Sequence, residues 1–80
     1  MFKVYGTTTC GYCKRATKLL QQKGHNYLYL SLDSNPELLE SMQKTHKWRT
    51  VPMILWENKE EEYEVFIGGY TDLIKWLEKE

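Results

Sequence analysis

The chain opens on an alternation. Phe2-Lys3-Val4-Tyr5 places apolar side chains two apart, which predicts a short strand. Gly6 and three threonines follow as a turn. From Gly11 to Lys23 the period becomes helical. Tyr12, Ala16, Leu19 and Leu20 share one side, and Lys14, Arg15, Lys18, Gln21 and Gln22 lie largely on the other. Gly24 suits the left-handed position that ends many helices.

The period returns to two in "NYLYLSLD", with Leu28, Leu30 and Leu32 on one face of a second strand and Tyr27, Tyr29 and Ser31 on the other. "DSNPELLESM" carries a helix start: Asn35 or Ser34 can cap, Pro36 suits the first turn, and Glu37 favours the positive end of the helix dipole. Leu38, Leu39 and Met42 would face the core. "TVPMILW" reads as a buried strand opened by a proline. Asn58 to Glu62 is a polar turn, and Tyr63 to Ile67 returns as the second arm of a hairpin. Gly68-Gly69 breaks that strand. Thr71 or Asp72 would then cap a last helix, with Leu73, Ile74 and Leu77 as its inward stripe. The order β-α-β-α-β-β-α predicts an α/β fold in which a central mixed sheet carries helices on both faces.

Eighty residues allow one small domain, spanning residues 1–80, and 41% hydrophobic residues with 14% aromatics can furnish its core. Eleven basic residues balance eleven acidic ones, so the broad attraction of a nucleic-acid binder is missing and no nucleic-acid partner is expected. The longest apolar run, Val51 to Trp56, is too short to span a bilayer, and "MFKVY" reads as a strand rather than a targeting segment. These features lead us to expect a cytoplasmic protein without a membrane partner.

The chemistry concentrates in "TCGYCK". Both cysteines of the chain, Cys10 and Cys13, stand in this patch. A loop of this size would restrain the unfolded chain little, so a purely structural disulfide is disfavoured. In a reducing compartment a CxxC is more often catalytic or metal-binding. The pair could also be two small buried residues. A zinc site could recruit His25, but His46 lies far beyond the spacing of a second finger histidine. A redox pair fits the placement best. Cys10 would begin a helix, where free N–H groups and the dipole favour an anion and lower a thiol pKa from about 8.5 toward 3.5–7.5. Cys13 lies about one helical turn on, on the same side, with its amide available to the Cys10 sulfur. Cys10 is therefore assigned as nucleophile and Cys13 as resolving thiol.

"TCGYCK" at a helix start, "TVP" some forty residues later and then "GGYTDL" together resemble the glutaredoxins. The resemblance spans most of the chain and implies a thioredoxin-like fold with a four-stranded sheet flanked by three helices. It also implies a monomeric thiol–disulfide oxidoreductase with no tightly bound cofactor or metal. Glutathione would be its reducing co-substrate, and its partners would be disulfide-containing or glutathionylated proteins, ribonucleotide reductase among the candidates. The redox potential would fall near the family's range of about −200 to −230 mV.

The resemblance further assigns a glutathione site. Pro52 resembles the family's cis-proline, whose preceding residue, Val51, pairs through its main chain with the cysteine of glutathione. Taken alone, Pro52 would read as a trans proline at a strand edge. Thr71 and neighbouring amides of Gly69 and Tyr70 would hold the γ-glutamyl carboxylate, and Asp72 would meet its ammonium, alongside any capping role. Tyr12 resembles the family's aromatic beside the nucleophile. Arg49 and Thr50 complete the set.

Two departures matter. Gly11 stands where many dithiol members carry proline, and some members without that proline bind a [2Fe–2S] cluster between subunits, so a cluster carrier is one alternative. Thr7 stands where the family often has lysine; Arg49, Lys47 and Lys14 are candidates to supply the missing charge. A redoxin reduced by thioredoxin reductase is the other alternative.

Overall fold

Alternation along the first strand decides which face each helix covers. In the computed structural model, which describes residues 1–79, β1 (Phe2–Gly6) buries Phe2, Val4 and Gly6 on one face and leaves Lys3 and Tyr5 half-buried on the other. α1 (Gly11–Gln22), β2 (Tyr27–Ser31), α2 (Pro36–His46), β3 (Met53–Asn58), β4 (Tyr63–Gly68) and α3 (Tyr70–Glu78) follow in the expected order. The strands form one mixed sheet, β2-β1-β3-β4. β1 runs parallel to β2, with Val4 opposite Tyr29, and antiparallel to β3, with Val4 opposite Ile54. β3 and β4 make the antiparallel hairpin.

Two apolar layers sandwich the sheet. On one face Ala16 and Leu20 of α1 and Leu73 of α3 pack on Phe2, Val4 and Ile54, with Leu19, Trp76 and Leu77 around them. On the other, Met42 and Leu39 of α2 join Leu32, Met53, Leu55, Tyr5 and Phe66. The first layer seats the whole inner face of α1, and so fixes the height at which that helix begins.

Local signals place most boundaries. The Asn35 side chain accepts from the Leu38 amide at 3.1 Å and caps α2, whose first residue is Pro36. Gly24 follows α1 at φ +76, the left-handed value expected of it.

The structure corrects four details. Tyr12 is exposed rather than part of the inner face of α1, because that helix buries Cys13, Ala16 and Leu20 instead. Leu38 is exposed where a core role was expected, since α2 turns Leu39 and Met42 inward instead. β3 begins at Met53, because Pro52 follows a cis bond and Thr50 to Pro52 form an irregular approach. The cap of α3 is Gly69, with Asp72 inside the first turn rather than before it.

Candidate active site

Cys10 is the N-cap of α1, with extended backbone at φ −84 and ψ 113. Its sulfur accepts the Cys13 amide at 3.1 Å, and its carbonyl accepts the Lys14 amide at 3.3 Å. No acidic residue stands in the first turn, so nothing there opposes negative charge on the sulfur. Cys13 is fully buried, while Cys10 is half-buried. A disulfide joins them across a Cα–Cα distance of 5.2 Å, which makes this the oxidised form of the pair.

The Cys10 sulfur lies 3.8 Å from the carbonyl oxygen of Val51, the residue before cis-Pro52. The sequence thus separates these two residues by 41 positions and the fold brings them into contact. Beyond Val51 a groove of about 330 Å³ is lined by Tyr12, Trp48, Thr50, Val51, Pro52, Gly69, Tyr70, Thr71 and Asp72. Three segments far apart in sequence meet there: the first turn of α1, the approach to β3, and the start of α3. The Tyr12 and Tyr70 rings, 6.0 Å apart, form its aromatic side. Arg49 does not line it; this residue is exposed beside the groove, and its carbonyl accepts from the Gln43 side chain at 3.2 Å.

The glycine pair before α3 has a local cause. Asp72 reaches back one turn to accept the Gly69 amide at 3.1 Å. Gly68, at φ +121, must remain glycine because a Cβ there would stand 2.6 Å from the Asp72 carboxylate. The same carboxylate therefore caps α3 and sits in the groove wall.

The histidines stand away from the sulfurs. His25 packs edge-on against Phe2, 5.2 Å between centroids, past the C-terminal end of α1, whereas the cysteines occupy its N-terminal end. His46 stacks on Phe66 at 4.3 Å. Among the described residues no group of three or more His, Cys, Asp or Glu gathers in a way that could hold a metal ion.

A family model described as Glutaredoxin matches residues 2–60. The chain belongs to the glutaredoxin family. The glutaredoxin of Pseudomonas aeruginosa is 37% identical over 70 residues, covering 88% of this chain and 76% of that one. Glutaredoxin 3 of Escherichia coli K12 is 37% identical over 71 residues, 89% of this chain and 78% of that protein. Among solved structures, a buckwheat glutaredoxin–glutathione complex superposes with a TM-score of 0.78 at 26% identity, across 98% of this chain and 68% of that one. The sheet order and three flanking helices are the thioredoxin-like fold of these glutaredoxins. The molecule is a thiol–disulfide oxidoreductase, and Cys10 and Cys13 are its redox-active pair.

This glutaredoxin also holds its nucleophile loop in a way that residue patterns did not reveal. Asp33, from the loop after β2, accepts both the amide and the hydroxyl of Thr8, at 3.0 and 2.5 Å. Tyr29 of β2 donates its hydroxyl to the Thr7 carbonyl at 2.5 Å. Gly6, at the end of β1, is required because a Cβ there would fall against the Cys13 sulfur and 2.8 Å from the Tyr29 hydroxyl. The only sequence signal was an aspartate after a strand, which by itself reads as a turn residue.

Proposed function

We propose that this glutaredoxin uses glutathione to reduce protein disulfides and glutathione mixed disulfides. One observation carries the reading: a groove that joins the Val51 main chain, 3.8 Å from the Cys10 sulfur, to the Gly69–Asp72 turn. A tripeptide with a thiol in its middle and a carboxylate at each end fits that layout. Its cysteine lies along Val51 and Thr50 before cis-Pro52, its γ-glutamyl carboxylate at the amides of Tyr70 and Thr71, and its ammonium beside Asp72. Tyr12 lines the groove beside the glutathione. Arg49, exposed beside Thr50, is the cation assigned to the glycine carboxylate.

Catalysis then runs in two exchanges. The Cys10 thiolate, held by the Cys13 amide and the helix start, attacks a substrate disulfide. A Cys10–substrate bond forms as the substrate's own S–S bond breaks, and the departing thiolate takes up a proton. Cys13 then attacks Cys10, forming the intramolecular disulfide and releasing the second substrate thiol. Two glutathiones reopen that disulfide and leave as glutathione disulfide, so two electrons enter and two depart. With a glutathionylated substrate, Cys10 takes the glutathionyl group directly and a second glutathione completes the cycle.

The test is turnover with glutathione, glutathione reductase and a small mixed disulfide. Steady oxidation of the reductase's nicotinamide cofactor is expected. Turnover with thioredoxin reductase, and none with glutathione, would overturn the assignment of reductant.

A further inference from the structure

The two exchanges need a place for the Cys13 sulfur once the disulfide is open. Cys13 is fully buried, and a buried S–H without an acceptor raises the free energy of the dithiol form. A hydroxyl oxygen stands near it. The Cys13 sulfur and the Tyr29 hydroxyl converge on the same small space beside Gly6, where any Cβ would meet both. Tyr29 commits its own proton to the Thr7 carbonyl at 2.5 Å, which leaves the phenol oxygen free to accept. The side chain belongs to an edge strand and is partly exposed, so its hydroxyl is not there to fill a buried apolar site.

We propose that Tyr29 is the positioning residue of the resolving thiol: in the dithiol form its hydroxyl oxygen accepts the Cys13 S–H and keeps that sulfur poised beside Cys10, in room that Gly6 leaves open. During resolution the Cys13–Cys10 bond forms, the bond from Cys10 to the substrate sulfur breaks, and the Cys13 proton ends on the departing thiol. Tyr29 exchanges no proton and no electrons. Partial burial, and the Asp33 charge nearby, raise the phenol's pKa, so it stays protonated and clamped on Thr7 at working pH. Tyr29 also lines a shallow pocket with Thr7, Thr8, Thr17 and Tyr27, and the cation there is Lys14.

Tyr29→Phe is the test, because it keeps the ring on an exposed strand and removes only the oxygen. Equilibration with dithiothreitol, read by thiol alkylation, makes the result independent of whether glutathione is the reductant. Loss of the acceptor should favour the disulfide by about fivefold, equal to about 20 mV more reducing. In single-turnover kinetics with a small aromatic disulfide, the change should fall on release of the second thiol rather than on formation of the mixed disulfide. Thr8→Ala loosens the same loop through Asp33 without touching the phenol and serves as the comparison; it should move the equilibrium by less than twofold. An unchanged equilibrium in Tyr29→Phe, an equal shift in Thr8→Ala, or equal slowing of both steps would each overturn the proposal, by leaving Tyr29 no role beyond anchoring Thr7.

Discussion

Asp33 holds Thr8 twice, through the amide at 3.0 Å and the hydroxyl at 2.5 Å, and thereby ties the segment before the nucleophile to the loop after β2. The hydroxyl bond first, then the amide bond, keep the Asp33 carboxyl below the usual carboxylate range. The sign follows from linkage. A carboxyl whose pKa is lower when folded adds stability that is complete above its unfolded value of about 3.9, and that contribution is lost as pH falls through the folded value. Asp33→Ala should therefore melt at a lower temperature than the unsubstituted protein at neutral pH, and the two curves should converge in acid. Melting temperatures followed from neutral pH down to about pH 2 decide this; a gap that stays constant would show that Asp33 does not act through its charge.

Gly6 gives a second prediction. A methyl group there meets the Cys13 sulfur, the Cys13 Cβ at 3.1 Å and the Tyr29 hydroxyl at 2.8 Å, and two of these three atoms belong to a fully buried residue. Gly6→Ala should cost about 1–3 kcal/mol, as overpacking of a filled site does. Urea unfolding of the oxidised protein measures it. A cost below about 0.5 kcal/mol, the range of an ordinary surface change, would mean that the space is more yielding than the atom positions imply.

Sequence reasoning reached the elements whose signals are local and stopped where partners come from afar. Asn35, Pro36 and Gly24 carry their geometry within three residues, so the start of α2 and the end of α1 were legible. The groove was legible through three motifs in order, and eight of its nine lining residues stand among those that the glutaredoxin resemblance singled out, Trp48 being the ninth. The clamp of Thr7 and Thr8 was not legible, since Tyr29 and Asp33 lie 22 and 25 positions away and neither looks unusual in its own strand or turn. Leu28 and Leu30 illustrate the same limit. Their alternation is that of a half-buried strand, yet both are exposed, because β2 is an edge and α2 does not extend over it.

Asp72 is asked to do two things, and they are separable. Its carboxylate caps the Gly69 amide at 3.1 Å, and in the proposed complex it faces the ammonium of glutathione. Asp72→Asn keeps an oxygen for the amide but removes the charge. It should leave the unfolding free energy within about 0.5 kcal/mol, while KM for glutathione rises several-fold. Asp72→Ala loses the cap as well and should be destabilised by about 0.5–2 kcal/mol. If Asp72→Asn leaves KM unchanged but is destabilised, the aspartate charge serves the helix and not the ligand.

The unequal burial of the two sulfurs predicts unequal consequences of removing them. Cys10 is half-buried, touches the groove residue Val51 and stands at the helix start, so the attack on any substrate must begin there; Cys13 is fully buried and can react only with what Cys10 has already captured. Cys10→Ser should abolish turnover on every disulfide, since a serine hydroxyl is not ionised at neutral pH. Cys13→Ser should lose most activity on protein disulfides, whose second thiol needs an internal displacer. It should retain a measurable rate on small glutathionylated substrates, where glutathione itself displaces the glutathionyl group from Cys10. Its serine preserves the backbone amide that Cys10 accepts at 3.1 Å, so the nucleophile remains supported. Coupled assays on the two substrate types with both variants decide the matter: equal loss in both variants on both substrates would contradict a division of labour between an exposed attacking sulfur and a buried resolving one.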